Sequence, residues 1–176
     1  MKLIILDRDG VINFNSKNYI KSPDEWLPIP GSLEAISNLN KKGYKISIAT
    51  NQSGISRGLF DLKMLEEIHN KLYFYASNIG AKIDSIFFCP HTPEMKCSCR
   101  KPKTGMLKSI SKKFSKSLNG VPMVGDSLSD LLAAKEMRCE PFLVKTGNGM
   151  NTLKNNKIPK NTNIFENLSD VAKYLT

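Results

Sequence analysis

Two aspartates two residues apart, Asp7 and Asp9, close the first apolar run of the chain in LDRDGV. While the backbone stays extended, residues two apart project to the same side, so both carboxylates face one space. Such a pair suits phosphoryl transfer through a covalent intermediate. One ionised carboxylate attacks, and the other handles the proton of the leaving oxygen. A magnesium ion held by carboxylates would keep the nucleophile and the phosphate from repelling one another. Gly10 then lets the chain turn sharply. By itself the pattern also describes an ordinary strand-ending turn, so its meaning depends on what else the chain brings to it.

A phosphate needs donors and positive charge. Thr50 offers a hydroxyl, and Asn51, Gln52, Ser53 and Gly54 after it offer amides and backbone N–H groups. In CRKPK, Lys101 can offset charge on a transferring group, and Arg100 can grip a second phosphate or a sugar hydroxyl with its fork. In GDSLSD, Asp126 is a candidate to complete a magnesium shell. Asp130, one helical turn on, reads equally as a residue that orients Lys101 or a metal-bound water, or as a helix-start carboxylate favoured by the dipole. The segment CPHTPEMKCSC carries Cys89, His91, Cys97 and Cys99, and three thiolates with an imidazole fit a closed, structural, tetrahedral zinc site. Such a clip would shape a short polar loop and so position Arg100 and Lys101. His69 reads as a packing or surface residue, and Cys139 as a small buried hydrophobe.

The elements that must hold these groups alternate along the chain. LIIL (3–6), ISIA (46–49), SIFF (85–88), PMV (122–124) and PFLV (141–144) are apolar on both faces, as buried parallel strands are. Between them lie helical stripes: Leu33, Ile36 and Leu39; Leu62, Leu65, Ile68, Leu72, Ala76 and Ile79, with Asp61 as N-cap; Met106, Leu107, Ile110 and Phe114; the helix beginning at Leu128; and a closing helix from Leu168 to Leu175. Strict alternation predicts an α/β fold, a three-layer Rossmann-like parallel sheet with right-handed crossovers and helices on both faces. Strand ends at Asp7, Thr50, Cys89 and Asp126 then meet at the carboxyl edge, where open parallel sheets bind ligands. The gaps between motifs are too short for a large cap domain. Residues 1–176 read as one domain with a zinc loop at 89–99, and the Gly-, Asn- and Lys-rich stretch from Lys145 to Asn163 reads as a mobile loop.

Apolar runs of four or five residues cannot span a bilayer, and acidic residues arrive by position 7, so a cytoplasmic chain is expected. The formal charge of +10 suits an anionic partner. Its lysines are scattered from Lys2 to Lys173 without an arginine-rich block, which favours a solvated surface and a small phosphorylated substrate over nucleic acid.

LDRDGVIN, TNQSGISRG, CPHTPEMKCSCRKP and VGDSLSD, in this order and spacing, resemble the heptose bisphosphate phosphatases, in the histidinol-phosphatase-like branch of the haloacid dehalogenase superfamily. The likeness runs from about Leu3 to Gly149. It implies the haloacid dehalogenase fold and a monomeric sugar bisphosphate phosphatase that uses Mg2+ and carries Zn2+, supplying heptose for lipopolysaccharide. It further implies that Asp7 attacks the 7-phosphate and that Asp9 protonates the sugar oxygen, then activates water. Magnesium would fall on Asp7, the backbone carbonyl of Asp9, and Asp126, with Thr50 and Lys101 as the phosphate-stabilising pair. Arg100 would recognise the substrate, together with Asn15, Ser16, Lys17, Asn18, Asn51, Gln52 and Ser53. Arg57 in GISRG is a further candidate for the distal phosphate, on charge and position alone. Histidinol-phosphate phosphatases share the compact clip and are the nearest alternative. They resemble DGT and TNQDG, where this chain has DGV and TNQSGISRG. Removal of 3′-phosphates from nucleic-acid ends is a second alternative. A non-catalytic zinc-clipped module is a third, and it leaves Asp7, Asp9, Thr50, Lys101 and Asp126 without a purpose.

Overall fold

The structure is a computed structural model describing residues 1–176. Strands β1 (Lys2–Leu6), β2 (Tyr44–Asn51), β3 (Ser85–Cys89), β4 (Pro122–Gly125), β5 (Glu140–Val144) and β6 (Asn163–Phe165) form one sheet in the order β3-β2-β1-β4-β5-β6. Every pairing is parallel. The strand order runs outward from β1 in both directions, so the topological switch lies between β1 and β4. Leu6 is in register with Ile48 on one side and Val124 on the other. The N–H of Asp7 continues the ladder, donating to the Val124 carbonyl at 2.9 Å. That register sets Asp7 beside Asp126.

Side-chain alternation along β1 divides the core. Ile4 and Leu6 pack with α1 (Ser32–Lys41), α2 (Leu62–Asn78) and α6 (Leu168–Leu175). Leu3 and Ile5 pack with α3 (Gly105–Phe114) and α4 (Leu128–Glu136) on the opposite face. This is the three-layer arrangement that the alternating pattern predicts. The helices form where their apolar stripes lie. In α2, Leu65, Ile68, Leu72 and Ala76 are buried, and the Asp61 carboxylate caps the helix by accepting the Met64 N–H at 2.8 Å. Fully burying each Leu or Ile of such a stripe stabilises by about 1.5–3 kcal/mol, and a cap of this kind by about 1 kcal/mol.

Between β1 and α1 the chain makes a short strap across the rim of the sheet. Phe14 N–H donates to the Leu27 carbonyl at 3.0 Å, and the Lys71 ammonium in α2 donates to the carbonyls of Pro23 (2.7 Å) and Trp26 (3.0 Å). Trp26 is wholly buried beneath the strap. No helix is long and apolar enough to cross a membrane.

The stretch from Lys145 to Asn163 departs from the mobile loop expected of it. Residues Gly149–Leu153 form α5, and Asn163 opens β6. Thr146 Oγ1 donates to the Gly10 carbonyl at 2.7 Å, and the Asn148 N–H donates to Asp126 Oδ2 at 2.7 Å. Thr152 Oγ1 donates to the Asp126 carbonyl at 2.8 Å. Composition makes this stretch look like a free loop because its residues are small and polar. Thr146, Asn148 and Thr152 instead commit hydrogen-bonding groups to partners far away in sequence, while the bonds of residues 155–162 stay local.

Candidate active site

The carboxyl ends of β1, β2 and β4 open into a cleft of about 240 Å³, lined among others by Asp7, Asp9, Thr50, Lys101 and Asp126. Lys101 is buried, and its ammonium lies against three oxygens, one as a hydrogen bond and two as ion pairs. They are the Ala49 carbonyl at 2.6 Å, Asp130 Oδ1 at 2.6 Å and Asp7 Oδ1 at 3.0 Å. Burial works against its charge, but Asp130 and Asp7 prevail and push its pKa above the usual lysine value. Lys101 is thus a fixed cation beside Asp7. Its backbone is braced by Asn51, whose Oδ1 accepts the Lys101 N–H at 3.1 Å while Nδ2 donates to the Lys101 carbonyl at 3.1 Å.

Asp130 fills both of the roles left open for it. Its Oδ1 pairs with Lys101, and its Oδ2 accepts from the Ser127 N–H at 3.1 Å and the Ser127 hydroxyl at 2.5 Å, which ties down the first turn of α4. Asp130 thus links the Lys101 cation to the first turn of α4 within the buried carboxylate group.

Asp9 is the most heavily hydrogen-bonded carboxylate. Oδ1 accepts from Arg8 Nε (3.0 Å), Arg8 Nη2 (2.9 Å) and Asn13 Nδ2 (2.8 Å). Oδ2 accepts from Arg8 Nη2 (3.1 Å) and Gln52 Nε2 (2.9 Å). Burial pushes its carboxyl up, but Arg8 together with the Asn13 and Gln52 amides outweighs burial and holds it below the ordinary value. Gln52 Nε2 also donates to Thr50 Oγ1 at 2.8 Å. This leaves the Thr50 hydroxyl proton for an anion in the cleft.

Asp7 and Asp126 shift the other way. Burial pushes Asp7 well up, and Asp130, Asp126 and Asp9 add to it against the pull of Lys101. Burial and Asp130 carry Asp126 from 3.8 to about 7. The carboxylate oxygens of Asp7, Asp126 and Asp130 lie within 4.8 Å of one another. Four carboxylates against the two cations Arg8 and Lys101 leave an excess of two negative charges, the complement of a divalent cation. Hard carboxylate oxygens suit magnesium, and Asp7 and Asp126 of this buried group could hold it. The fit around Asp126 is close: Gly10 (φ 84°) and Gly147 (φ 58°) lie where a Cβ would overlap its carboxylate.

The cysteine cluster converges as expected. Five of the six separations among Cys89 Sγ, His91 Nδ1, Cys97 Sγ and Cys99 Sγ run from 3.0 to 3.6 Å, and all four atoms lie within 4.8 Å of one another. Zn–S bonds of about 2.3 Å in a tetrahedron set edges of about 3.8 Å, so this set could hold one Zn2+ after a small expansion. No disulfide forms. Burial pushes the Cys89 thiol up to about 12. For Cys97, burial is outweighed by the Arg100 N–H and neighbouring thiols, which bring it to about 6. The Arg100 N–H donates to Cys97 Sγ at 3.3 Å, and Arg100 Nη1 to the His91 carbonyl at 3.2 Å, so the clip sets where Arg100 stands.

Asn15, Ser16, Asn51, Gln52, Ser53 and Arg100 line the cleft. Lys17, Asn18 and Arg57 do not; they are exposed outside it. Tyr19 and Ile20 of the strap line it instead. Arg8, Asn13 and Asn148 were not singled out from the sequence, and His69, expected as a packing or surface residue, is buried against Arg8. A signal existed for two of these. Arg8 sits between two acidic residues at the end of a buried strand, and His69 interrupts the buried stripe of α2.

A parallel sheet that delivers two carboxylate-bearing turns to one rim, bridged by a buried lysine, is the build of the haloacid dehalogenase class of hydrolases. In agreement, the HAD-hydrolase-like family profile matches residues 98–171. The D-glycero-beta-D-manno-heptose-1,7-bisphosphate 7-phosphatase of Bordetella bronchiseptica is 50% identical over 175 residues, covering 99% of this chain and 98% of the relative. That of Pseudomonas aeruginosa is 49% identical over 173 residues, covering 98% and 97%. The B. bronchiseptica D,D-heptose 1,7-bisphosphate phosphatase, solved in complex with magnesium and phosphate, superposes with a TM-score of 0.98 at 50% identity over 99% of this chain and 98% of that one. The chain belongs to the D-glycero-beta-D-manno-heptose-1,7-bisphosphate 7-phosphatase family.

Proposed function

We propose that this protein hydrolyses the 7-phosphate of D-glycero-β-D-manno-heptose 1,7-bisphosphate through an aspartyl-phosphate on Asp7, on the way to lipopolysaccharide heptose. The observation that carries the reading is Asp7 facing a polar cleft with Lys101 Nζ 3.0 Å from its Oδ1, while Asp9 borders the same cleft. Asp7 Oδ1 is occupied by Lys101 and by the Arg8 N–H at 2.7 Å, so Oδ2 is the attacking oxygen. As the bond from Oδ2 to phosphorus forms, the bond from phosphorus to the sugar oxygen breaks, and Asp9 supplies the proton that this oxygen takes up. A phosphate dianion entering beside Asp9 raises its proton affinity, as any second negative charge does. Asp9 then accepts a proton from the water whose oxygen bonds phosphorus, and the bond from phosphorus to Asp7 Oδ2 breaks, releasing inorganic phosphate and free Asp7. Lys101 and the Thr50 hydroxyl face the charge that builds on the transferring group. Magnesium, when bound, supplies positive charge that lets phosphate approach the carboxylates.

The zinc clip fixes Arg100, which with Asn15, Ser16 and Ser53 forms the surface offered to the sugar and its distal phosphate. The whole chain acts as one domain, a monomeric cytoplasmic enzyme whose basic surface draws in a small anionic substrate and not nucleic acid. The test is phosphate release from the β and α anomers of heptose bisphosphate and from histidinol phosphate. The β anomer should be turned over fastest, and Asp7→Asn should abolish the activity. Faster release from histidinol phosphate would overturn the substrate assignment and leave the chemistry standing.

A further inference from the structure

Arg8 is fully buried at 0 % exposure, a charged side chain placed among the largest residues of the core. Neither the nucleophile, the phosphate donors nor the metal ligands account for it. A buried charge carries a desolvation penalty of several kcal/mol, which only close partners offset. Its partners here are Asp9, through Nε and Nη2, and His69, whose Nε2 lies 3.1 Å from Nη1. Arginine offers donors only, so His69 Nε2 must accept and the imidazole proton must sit on Nδ1. His69 stands on α2, whose buried stripe is packed into the core. A continuous line of contacts therefore runs from a rigid helix through His69 and Arg8 to Asp9.

The two oxygens of Asp9 are held unequally. Oδ1 receives three N–H donors at 2.8 to 3.0 Å. Oδ2 receives the longer arm of Arg8 Nη2 at 3.1 Å and a Gln52 amide that is shared with Thr50. An oxygen with one long bond and one shared bond can release a donor and take a proton, whereas one fixed by three cannot do so without breaking the fork. We propose that Arg8 and His69 are positioning residues for the acid–base step, anchoring Asp9 by Oδ1 so that Oδ2 carries the proton. The proposal rests on Asp9 being the acid–base group of the reaction above. In the first half-reaction the Oδ2–H bond breaks as the sugar O–H bond forms. In the second, a water O–H bond breaks and its proton returns to Oδ2.

The test uses leaving-group chemistry. A sugar alkoxide needs a proton as it departs, whereas p-nitrophenolate leaves as a stable anion and needs little acid assistance. Misplacement by about an ångström lowers reactivity on the order of a hundredfold. His69→Leu, which removes the acceptor, should therefore lower kcat on heptose bisphosphate by tens of fold, on the order set by that figure, with KM unchanged. The pre-steady-state burst of p-nitrophenolate from p-nitrophenyl phosphate, which reports the first half-reaction alone, should stay near wild type, while the water step that both esters share slows. His69→Gln, which can place an oxygen acceptor against Nη1, should recover most of the loss. This recovery, with the split between kcat and KM, decides the matter even if the aryl ester is a poor substrate. A p-nitrophenolate burst slowed as much as heptose bisphosphate turnover, no loss at all on heptose bisphosphate, or a Gln variant as impaired as Leu would overturn the clamp. Asp9→Asn separates the two levels. If it shows the same leaving-group selectivity while His69→Leu does not, the clamp alone fails; if it shows none, the acid–base assignment fails with it.

Discussion

Replacing Asp126 by Asn should make the metal-free protein more stable at pH 8 while destroying its activity. Asp126 is 3 % exposed and confronts Asp130 and Asp7, and burial with Asp130 carries its pKa from 3.8 to about 7. A carboxyl raised in the fold destabilises the native state as pH rises from its unfolded value to its folded one, because the unfolded chain releases the proton first. The interval from 3.8 to about 7 corresponds to on the order of 4 kcal/mol at pH 8. About 3 kcal/mol of this develops above pH 5, since each pH unit is worth about 1.4 kcal/mol. Asn is isosteric, and its Oδ1 can keep the bond that Asp126 Oδ2 now accepts from the Asn148 N–H at 2.7 Å. In chelator, the melting temperature of Asp126→Asn should thus exceed wild type at pH 8. The gap should shrink by roughly 6–12 °C at pH 5, taking 2–4 °C per kcal/mol for a domain of this size. Comparing variant with wild type at each pH cancels the opposing contribution of His69, whose pKa burial and Arg8 lower to about 3. Magnesium at a hundred times its dissociation constant should stabilise wild type by about 3 kcal/mol and the variant far less. An Asp126→Asn protein that melts at or below wild type in chelator at pH 8, or with the same gap at both pH values, would refute the argument from carboxylate crowding.

Lys101→Met should lower kcat at least on the order of a hundredfold, measured by steady-state phosphate release; a change confined to KM would mean that Lys101 binds substrate and transition state equally. Its stability should also fall by about 3–5 kcal/mol in denaturant titrations, because Asp7 and Asp130 lose their shared cation at 3.0 and 2.6 Å. Cys97→Ser should lose zinc by elemental analysis and lose activity with it, since Cys97 Sγ accepts the Arg100 N–H at 3.3 Å; a zinc-free variant with a wild-type rate would show that the clip does not set the site. Asn51→Ala should reduce kcat while leaving the metal-dependent rise in melting temperature intact, because Asn51 braces Lys101 and touches no metal ligand; loss of the metal response would count against that division.

Residue type and spacing along the chain were enough to determine a parallel α/β fold, the strand ends that carry Asp7 and Asp126, the helix capped by Asp61, and the grouping of Cys89, His91, Cys97 and Cys99. These follow from properties that are local: a period of two or of 3.6, a cap next to its helix, ligands within one loop. Only the tertiary structure decided how the rest is used. The Arg8–His69 contact joins residues 61 apart, Lys101 meets the Ala49 carbonyl across 52, and Asn148 reaches Asp126 across 22. Strand order and register create these meetings, and neither is written in the period of any one segment. The same cause turned a Gly- and Asn-rich stretch that looked mobile into the support of Asp126, and placed Lys17, Asn18 and Arg57 outside the cleft. Polar side chains acquire their roles from the partner they meet at the sheet edge, and that partner is set by the fold as a whole.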